Sequence, residues 1–139
     1  WHSVTGVQTC ALPISTISGL RANMRAMDLG DLDGDGKPEI VVGLSAGLVV
    51  CLDAQCRKVW ARALPSPPVV LRHVKAGKPW LLAGCEDGTV VLLDGKGEVA
   101  RLGKVAGRPS DLQVLATPAG PLAILVTETG ETTGFRVGE

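Results

Sequence analysis

The chain has 139 residues, which is enough for about one domain, and its 14 basic residues balance its 14 acidic residues. This balance gives no electrostatic reason to expect a nucleic acid or an anionic membrane surface as partner. A hydrophobic content of 45% excludes a disordered chain, and an aromatic content of 3% means that Val, Leu, Ile and Ala must build the core. The 18 glycines and 9 prolines indicate the many turns of a fold with short strands. No apolar run approaches the roughly 20 residues of a membrane-spanning helix.

Residues 1–14 do not have the pattern of a folded segment, because they lack formal charge and show neither helical nor strand periodicity. Residues 4–14, VTGVQTCALPI, resemble one reading frame of a common sequencing-library adapter. We therefore interpret residues 1–14 as an adapter-derived scar and residues 15–139 as the natural part of the chain. A natural N-terminal linker is the alternative. If the scar interpretation holds, the natural N-terminus is missing and the absence of a signal peptide carries no information.

An acidic loop, DLDGDGKPE at residues 31–39, comes directly before an apolar run that begins at Ile40. Carboxylates at alternate positions of a tight loop can point to one centre, and calcium prefers six to eight oxygen ligands. An Asp-rich turn without metal is the alternative, but clustered carboxylates would repel one another without a cation. The sequence therefore predicts one Ca²⁺ ion held by four side chains and one backbone carbonyl, with ligands from Asp31, Asp33, Asp35, Lys37 (through its carbonyl) and Glu39.

The chain repeats itself after a shift of 41 residues. Gly-Lys-Pro at residues 36–38 recurs at 77–79, and the apolar run at 40–43 recurs at 81–84. A weaker third copy begins near Pro121. A period near 40 residues with several short strands in each unit is typical of a β-propeller blade.

These repeats predict an all-β fold without helices, namely a fragment of a β-propeller with about three four-stranded blades. The blades are expected at approximately residues 22–62, 66–103 and 110–139. The predicted strands are 25–29, 39–42, 48–52 and 58–61 in the first unit; 69–74, 80–83, 89–93 and 98–102 in the second; and 112–116, 122–126 and 132–137 in the third.

Three blades are fewer than the four to eight of a closed propeller. We therefore expect residues 15–139 to be the C-terminal part of a longer propeller whose remaining blades are missing from this chain. The third unit stops before a fourth strand. We expect that strand to come from the missing N-terminal part and to close the ring.

Residues 28–43, DLGDLDGDGKPEIVVG, resemble an FG-GAP (VCBS-type) repeat. Such repeats are blades of integrin-like propellers and carry calcium in an Asp-x-Asp-x-Asp-Gly-x-x-Asp loop. The resemblance implies the same five ligands, with Glu39 in place of the usual Asp at the ninth position. The later units lack these acidic residues, so at most one calcium ion is expected. An EF-hand is disfavoured because Val42 stands where its Glu would be and a strand, not a helix, follows the loop.

A second resemblance covers the end of the same unit. Residues 47–54, GLVVCLDA, with Lys-Val-Trp at 58–60, are similar to blades of PQQ-type (quinoprotein-like) propellers, whose Trp packs between blades. Cys56 stands where that family prefers Gly, and the resemblance implies no bound quinone. We expect Trp60 and Trp80 to be packing anchors between blades. Trp80 would stack on a sugar only if it is exposed.

Other candidate chemistry is weak. Gly-Leu-Ser-Ala-Gly at residues 43–47 matches a nucleophile elbow, but that elbow needs a helix after the serine and a strand is expected here. His73 has no nucleophile in view and is expected to be an ordinary strand or loop residue. The cysteines lack the paired spacing of a zinc site. We expect buried free thiols at Cys51, Cys56 and Cys85, with a Cys51–Cys56 disulfide as the alternative in an exported protein.

The expected function is that of a non-enzymatic, calcium-braced propeller module for binding, adhesion or scaffolding. Its expected location is extracellular, at the cell surface or periplasmic, where calcium is abundant, and its expected partner is a protein or a carbohydrate. Neither nucleic acid nor membrane insertion is expected. The alternatives are an accessory propeller of a larger exported enzyme, such as a polysaccharide-active one, and an intracellular scaffold propeller. The complete upstream reading frame would discriminate among the three.

Overall fold

The computed structural model describes residues 23–137, so the interpretation of residues 1–14 lies outside the described part. Within that part the chain forms eleven β-strands and no helix, which confirms the predicted all-β class. Accordingly, residues 23–137 hold no helix that is long and apolar enough to cross a membrane. The strands are β1 (Met24–Gly30), β2 (Glu39–Leu44), β3 (Leu48–Leu52), β4 (Lys58–Ala63), β5 (Pro68–Ala76), β6 (Lys78–Cys85), β7 (Thr89–Asp94), β8 (Val99–Lys104), β9 (Pro109–Thr117), β10 (Gly120–Thr127) and β11 (Thr132–Arg136).

The strands form three antiparallel sheets, and in each sheet the spatial order follows the chain. We call β1–β4 blade 1, β5–β8 blade 2 and β9–β11 blade 3. The second and third strands of blades 1 and 2 are joined by tight turns that contain Gly47 and Gly88, with φ of 85° and 94°. This left-handed backbone favours glycine, so equivalent turns in two blades leave the same residue type in the sequence.

The first strands of blades 2 and 3 are longer than the sequence pattern predicts. β5 begins at Pro68 and β9 begins at Pro109, one and three residues before the predicted starts. Proline fits the first residue of a strand at a sheet edge because no ladder hydrogen bond needs its missing N–H. Both strands also continue past the predicted ends, where polar residues interrupt the apolar run. Blade 3 contains three strands within the described residues.

Blade 2 is buried on both faces because it lies between blades 1 and 3. Leu81 and Ala83 pack in the cluster that includes Val41 of blade 1, whereas Leu82 packs in the cluster that includes Leu125 of blade 3. Successive side chains of a strand point to opposite faces, so both faces of β6 need apolar residues. This double burial explains why β6 and β7 read as continuous apolar runs instead of alternating patterns.

The fourth strand of blade 1 contacts the next blade through side-chain hydrogen bonds. Trp60 Nε1 donates to the carbonyl of Gly95 at 3.1 Å, and Arg62 Nε donates to the carbonyl of Gly97 at 2.6 Å. Arg62 also pairs with Glu98 at 2.9 Å. Trp60 is therefore an anchor between blades, as the sequence predicts.

Trp80 lies inside the interface between blades 2 and 3 with 8% of its surface exposed. Its Nε1 donates to the carbonyl of Ala76 at 3.3 Å, and the ammonium of Lys78 lies 4.5 Å from the ring centroid. A buried ring offers no free face to a sugar. Trp80 is therefore not exposed in the way that stacking on a sugar requires.

Matching turns join the third and fourth strands of blades 1 and 2. In each turn one aspartate, Asp53 or Asp94, accepts two backbone N–H groups with its Oδ1 atom. The left-handed position of the turn is Gly97 in blade 2, with φ 82°, but Cys56 in blade 1, with φ 62°. A side chain in this conformation costs about 1–2 kcal/mol. Blade 1 therefore contains local strain that blade 2 avoids.

We predict that Leu81→Ala lowers the free energy of unfolding by about 3–5 kcal/mol, because Leu81 is fully buried between blades 1 and 2. Urea denaturation followed by circular dichroism measures this loss. Leu102→Ala makes the same change on β8 at a side chain that is 63% exposed, and it should cost less than about 0.5 kcal/mol. Equal losses in the two variants would contradict the assigned core.

We also predict that Cys56→Gly raises the free energy of unfolding by about 0.5–1 kcal/mol. Glycine removes the left-handed strain, although its greater freedom in the unfolded chain offsets part of the gain. Cys56→Ala is the matched control, because it removes the thiol but keeps a side chain at the strained φ, and it should change stability by less than about 0.5 kcal/mol. Thermal unfolding in reducing buffer compares the variants, and a Gly variant less stable than the Ala variant would refute the strain.

Candidate metal centre

The acidic loop joins the first two strands of blade 1. β1 ends at Gly30 and β2 begins at Glu39, and these two residues are paired across the sheet. Within the loop Gly34 and Gly36 have φ of 82° and 84°, which lets the backbone curl tightly. Because the loop leaves and enters neighbouring hydrogen-bonded strands, the sheet itself fixes both of its ends.

The aspartates organise the loop by accepting backbone N–H groups. Asp31 accepts the N–H of Gly34 at 2.7 Å with Oδ1 and that of Gly36 at 2.8 Å with Oδ2. Asp33 and Asp35 each accept the N–H two residues further on, at 2.9 Å and 2.7 Å. A carboxylate has about four lone-pair sites, so these bonds orient each group and leave it able to accept further contacts.

Glu39 completes the loop from the side of β2 and is only 5% exposed. Its Oε1 accepts the N–H of Leu32 at 2.6 Å and that of Asp33 at 3.1 Å. Leu32 is 2% exposed and packs in the core between blades 1 and 2. The carbonyl of Leu32 lies so close to Gly95 that any side chain there would collide with it. The loop is therefore attached to blade 2 as well as to blade 1.

The structure brings together the four carboxylates that the sequence singles out. One oxygen from each lies within 4.8 Å of the others. Two oxygens on one calcium ion can be at most about 5.2 Å apart, because Ca–O distances reach about 2.6 Å. This spacing is small enough for one calcium ion to contact all four groups, which are Asp31, Asp33, Asp35 and Glu39.

Three carboxyl groups of the cluster have pKa values shifted from their usual ones. The N–H of Gly36, with other hydrogen bonds of the loop, holds the pKa of Asp31 below its usual value. The N–H of Asp35 lowers the pKa of Asp33, but desolvation and the neighbouring Asp35 and Asp31 side chains outweigh it, and the net shift is upward. Burial raises the pKa of Glu39 despite two backbone N–H bonds, and the charges of Asp33 and Asp35 add to the rise. A bound cation would relieve this mutual repulsion.

Lys37 was predicted to contribute its carbonyl, and that role stays a prediction. The residue lies in the same loop, where its N–H donates to Asp35 Oδ1 at 2.7 Å. Sequence reasoning missed Leu32 and Gly95, which attach the loop to blade 2. A single leucine inside an otherwise polar loop is the signal that could have revealed the first of these contacts.

The structure does not bring Ser45 and His73 together. Ser45 lies in the turn between β2 and β3, where its Oγ accepts the N–H of Asn23 beside the start of β1. His73 packs against Gly30 at the opposite end of β1, and the backbone N–H of His73 donates to Asp28 Oδ2 at 2.6 Å. The seven residues of β1 span roughly 20 Å. These two side chains therefore cannot act as a nucleophile and its base.

The three cysteines of the described part carry free thiols, and the alternative Cys51–Cys56 disulfide is not formed. Burial raises the pKa of Cys51 to about 12 and that of Cys85 to about 11, so both are protonated at neutral pH. They are core residues, as predicted. Cys56 was expected to be buried as well, but it is partly exposed because it lies in the turn before β4.

Neither a protein-family model nor a curated protein matches this chain. Solved structures do match. The crystal structure of BBS1N in complex with ARL6DN, soaked with lead, aligns with a TM-score of 0.60 at 14% identity over 84% of this chain and 38% of that chain. The same complex soaked with mercury gives 0.59 at 15% identity, over 84% and 39%.

BamB from Moraxella catarrhalis aligns with a TM-score of 0.51 at 18% identity, over 84% of this chain and 38% of that chain. This chain thus spans about two-fifths of the length of each of these structures. Similarity at such low identity establishes the fold alone. Together with the three successive antiparallel sheets, it shows that the described residues have the fold of a β-propeller fragment.

Proposed function

We propose that this chain belongs to a non-enzymatic β-propeller that binds or scaffolds other proteins, and that one calcium ion braces the acidic loop of blade 1. The observation that carries the calcium assignment is the convergence of four carboxylates within 4.8 Å. A binding role is supported by the fold, because one propeller of similar structure, BBS1N, was crystallised in complex with ARL6DN. At the surface of a cell, this binding role would be adhesion.

In this proposal the ion is bound by Asp31, Asp33, Asp35, Glu39 and the carbonyl of Lys37. Calcium supplies positive charge that offsets the repulsion among the carboxylates, and it takes part in no reaction. The ion would hold the loop in the conformation in which Leu32 reaches the core between blades 1 and 2. Its role is therefore to stabilise the junction of two blades.

We also propose that blade 1 is an FG-GAP (VCBS-type) repeat with features of PQQ-like blades. Two structural features support this assignment. The acidic loop leads directly into β2, as the first resemblance implies, and Trp60 reaches the next blade at Gly95, as the second implies.

The proposed location is extracellular, at the cell surface or periplasmic, where calcium at millimolar concentration can fill a site of modest affinity. The proposed partner is a protein. A carbohydrate partner is not favoured, because Trp80, the aromatic residue considered for sugar stacking, is buried.

Isothermal titration of the 139-residue chain with calcium chloride should show one site with a Kd in the millimolar range or tighter. Asp33→Ala should abolish this binding, because it removes a ligand from the cluster. Asp87→Ala is the matched control, since Asp87 also accepts the backbone N–H two residues further on, in a turn of blade 2 outside the cluster, and it should leave binding intact. Absence of binding by the unmodified chain, or equal loss in both variants, would refute the calcium site.

Glu39→Gln should have opposite effects on stability and on calcium binding. Without calcium the variant should unfold at a higher temperature, because the raised pKa of Glu39 means that folding disfavours its charge, which the neutral amide lacks. The calcium affinity should fall on the order of tenfold, because the site loses one negative charge. Thermal unfolding in EDTA and calcium titration measure the two effects. A variant that is less stable in EDTA would contradict the assigned electrostatics.

A further inference from the structure

The turn between β7 and β8 of blade 2, at residues 94–98, contacts two separate parts of blade 1. The first contact comes from the acidic loop, where the carbonyl of Leu32 lies against Gly95. The second comes from β4, where Trp60 Nε1 donates to the carbonyl of Gly95 at 3.1 Å and the Trp60 ring lies against Gly97. The acidic loop and the fourth strand of blade 1 therefore meet at one residue of the neighbouring blade.

Gly95 is required by the approach of the acidic loop and not by the turn itself. Gly97 has a left-handed backbone, with φ of 82°, but Gly95 does not. The matching turn of blade 1 holds Ala54 at the corresponding position, so this kind of turn accepts a side chain there. A Cβ atom at position 95 would instead collide with the carbonyl oxygen of Leu32. The glycine is therefore explained by a contact between blades.

Leu32 connects this contact to the carboxylates. It stands directly between Asp31 and Asp33 in the chain, and its N–H donates to Glu39 Oε1 at 2.6 Å. A displacement of the Leu32 carbonyl therefore moves the backbone of both aspartates. Ca–O distances span only about 0.3 Å, and the collision that a side chain at position 95 would cause requires a larger shift than that. The position of Gly95 thus determines whether the carboxylates can converge on one ion.

The connection from the loop to β4 is continuous and lies inside a complete part of the fold. Leu32 and Leu93, the residue directly before the turn, are buried in one cluster, and Trp60 packs against that cluster. Blades 1 and 2 both have their four strands within the described residues. Such a contiguous set of packed groups can carry a change at the loop to the outer strand, and a change at the outer strand to the loop.

We propose that the turn at residues 94–98 positions the acidic loop for calcium, with Gly95 and Trp60 as positioning residues that bind no metal themselves. Calcium binding in blade 1 then tightens the contact of β4 with blade 2. Because the coupling of two equilibria is reciprocal, weakening that contact lowers the calcium affinity by the same factor. The proposal rests on the proposed calcium site, but the link between the turn and the loop exists without the ion.

The first test measures this link in the whole chain in EDTA. Hydrogen exchange of the Leu32 and Asp33 amides, which Glu39 binds, should become at least about tenfold faster in Gly95→Ala. Gly103→Ala is the matched control, because a methyl group there meets no atom closer than 4.0 Å, and it should leave both amides unchanged. Equal exchange in Gly95→Ala and the unmodified chain would overturn the proposal, whether or not the chain binds calcium.

The second test is isothermal titration with calcium chloride. Gly95→Ala should bind calcium at least about tenfold more weakly. Trp60→Phe keeps an aromatic ring but loses the N–H that binds Gly95, so it should weaken calcium up to about fivefold. Trp80→Phe makes the same change where the indole N–H binds Ala76, outside this contact, and it should leave the affinity unchanged. Unchanged affinity in Gly95→Ala and Trp60→Phe would overturn the proposal.

The third test is a spectroscopic signature that general destabilisation would not produce. In a Trp1→Phe, Trp80→Phe chain only Trp60 emits, and calcium should shift its fluorescence to shorter wavelength, because the tightened contact holds the ring further from water. Asp33→Ala should abolish the shift. Calcium binding without any shift would overturn the proposal. Absence of calcium binding by the unmodified chain would instead refute the metal site, and the exchange experiment in EDTA distinguishes the two failures.

Discussion

The structure depends on the burial of both faces of the middle blade. Leu81 and Leu93 fill the interface with blade 1, while Leu82 and Leu92 fill the interface with blade 3. A three- or four-stranded sheet cannot bury two apolar faces alone, so each blade is stable only against its neighbours. The hydrogen-bonded ladders fix the register within a blade, but the stacking of apolar faces holds the blades together.

The acidic loop affects the contact between blades because these blades are stacked. An acidic turn on an isolated hairpin would affect only local order. Here Leu32 connects the loop to the core between blades 1 and 2, and Glu39 binds the N–H of that same leucine. Anything that neutralises the carboxylates therefore acts on the contact between two blades, through one buried side chain.

Much of the fold was predictable because the repeat places the same physical requirement at the same position. Gly47 and Gly88 recur since both hairpin turns need a left-handed residue, and β6 and β7 are continuous apolar runs because both faces are buried. The starts of β5 and β9 were not predictable in this way, because proline usually marks a turn and here begins a strand. The clustering of the four carboxylates was predictable because their spacing within one loop depends on no distant residue.

The sequence by itself determined the all-β class, the period of the blades and the acidic cluster, since each depends on residues close together in the chain. Only the tertiary structure decided what lies across the blade boundaries. It brought the Trp60 side chain to the carbonyl of Gly95, inserted Leu32 into the core and buried Trp80. The reason is physical, because contacts between blades join residues about 35 to 60 positions apart, and no local pattern of apolar or charged residues specifies which of them meet.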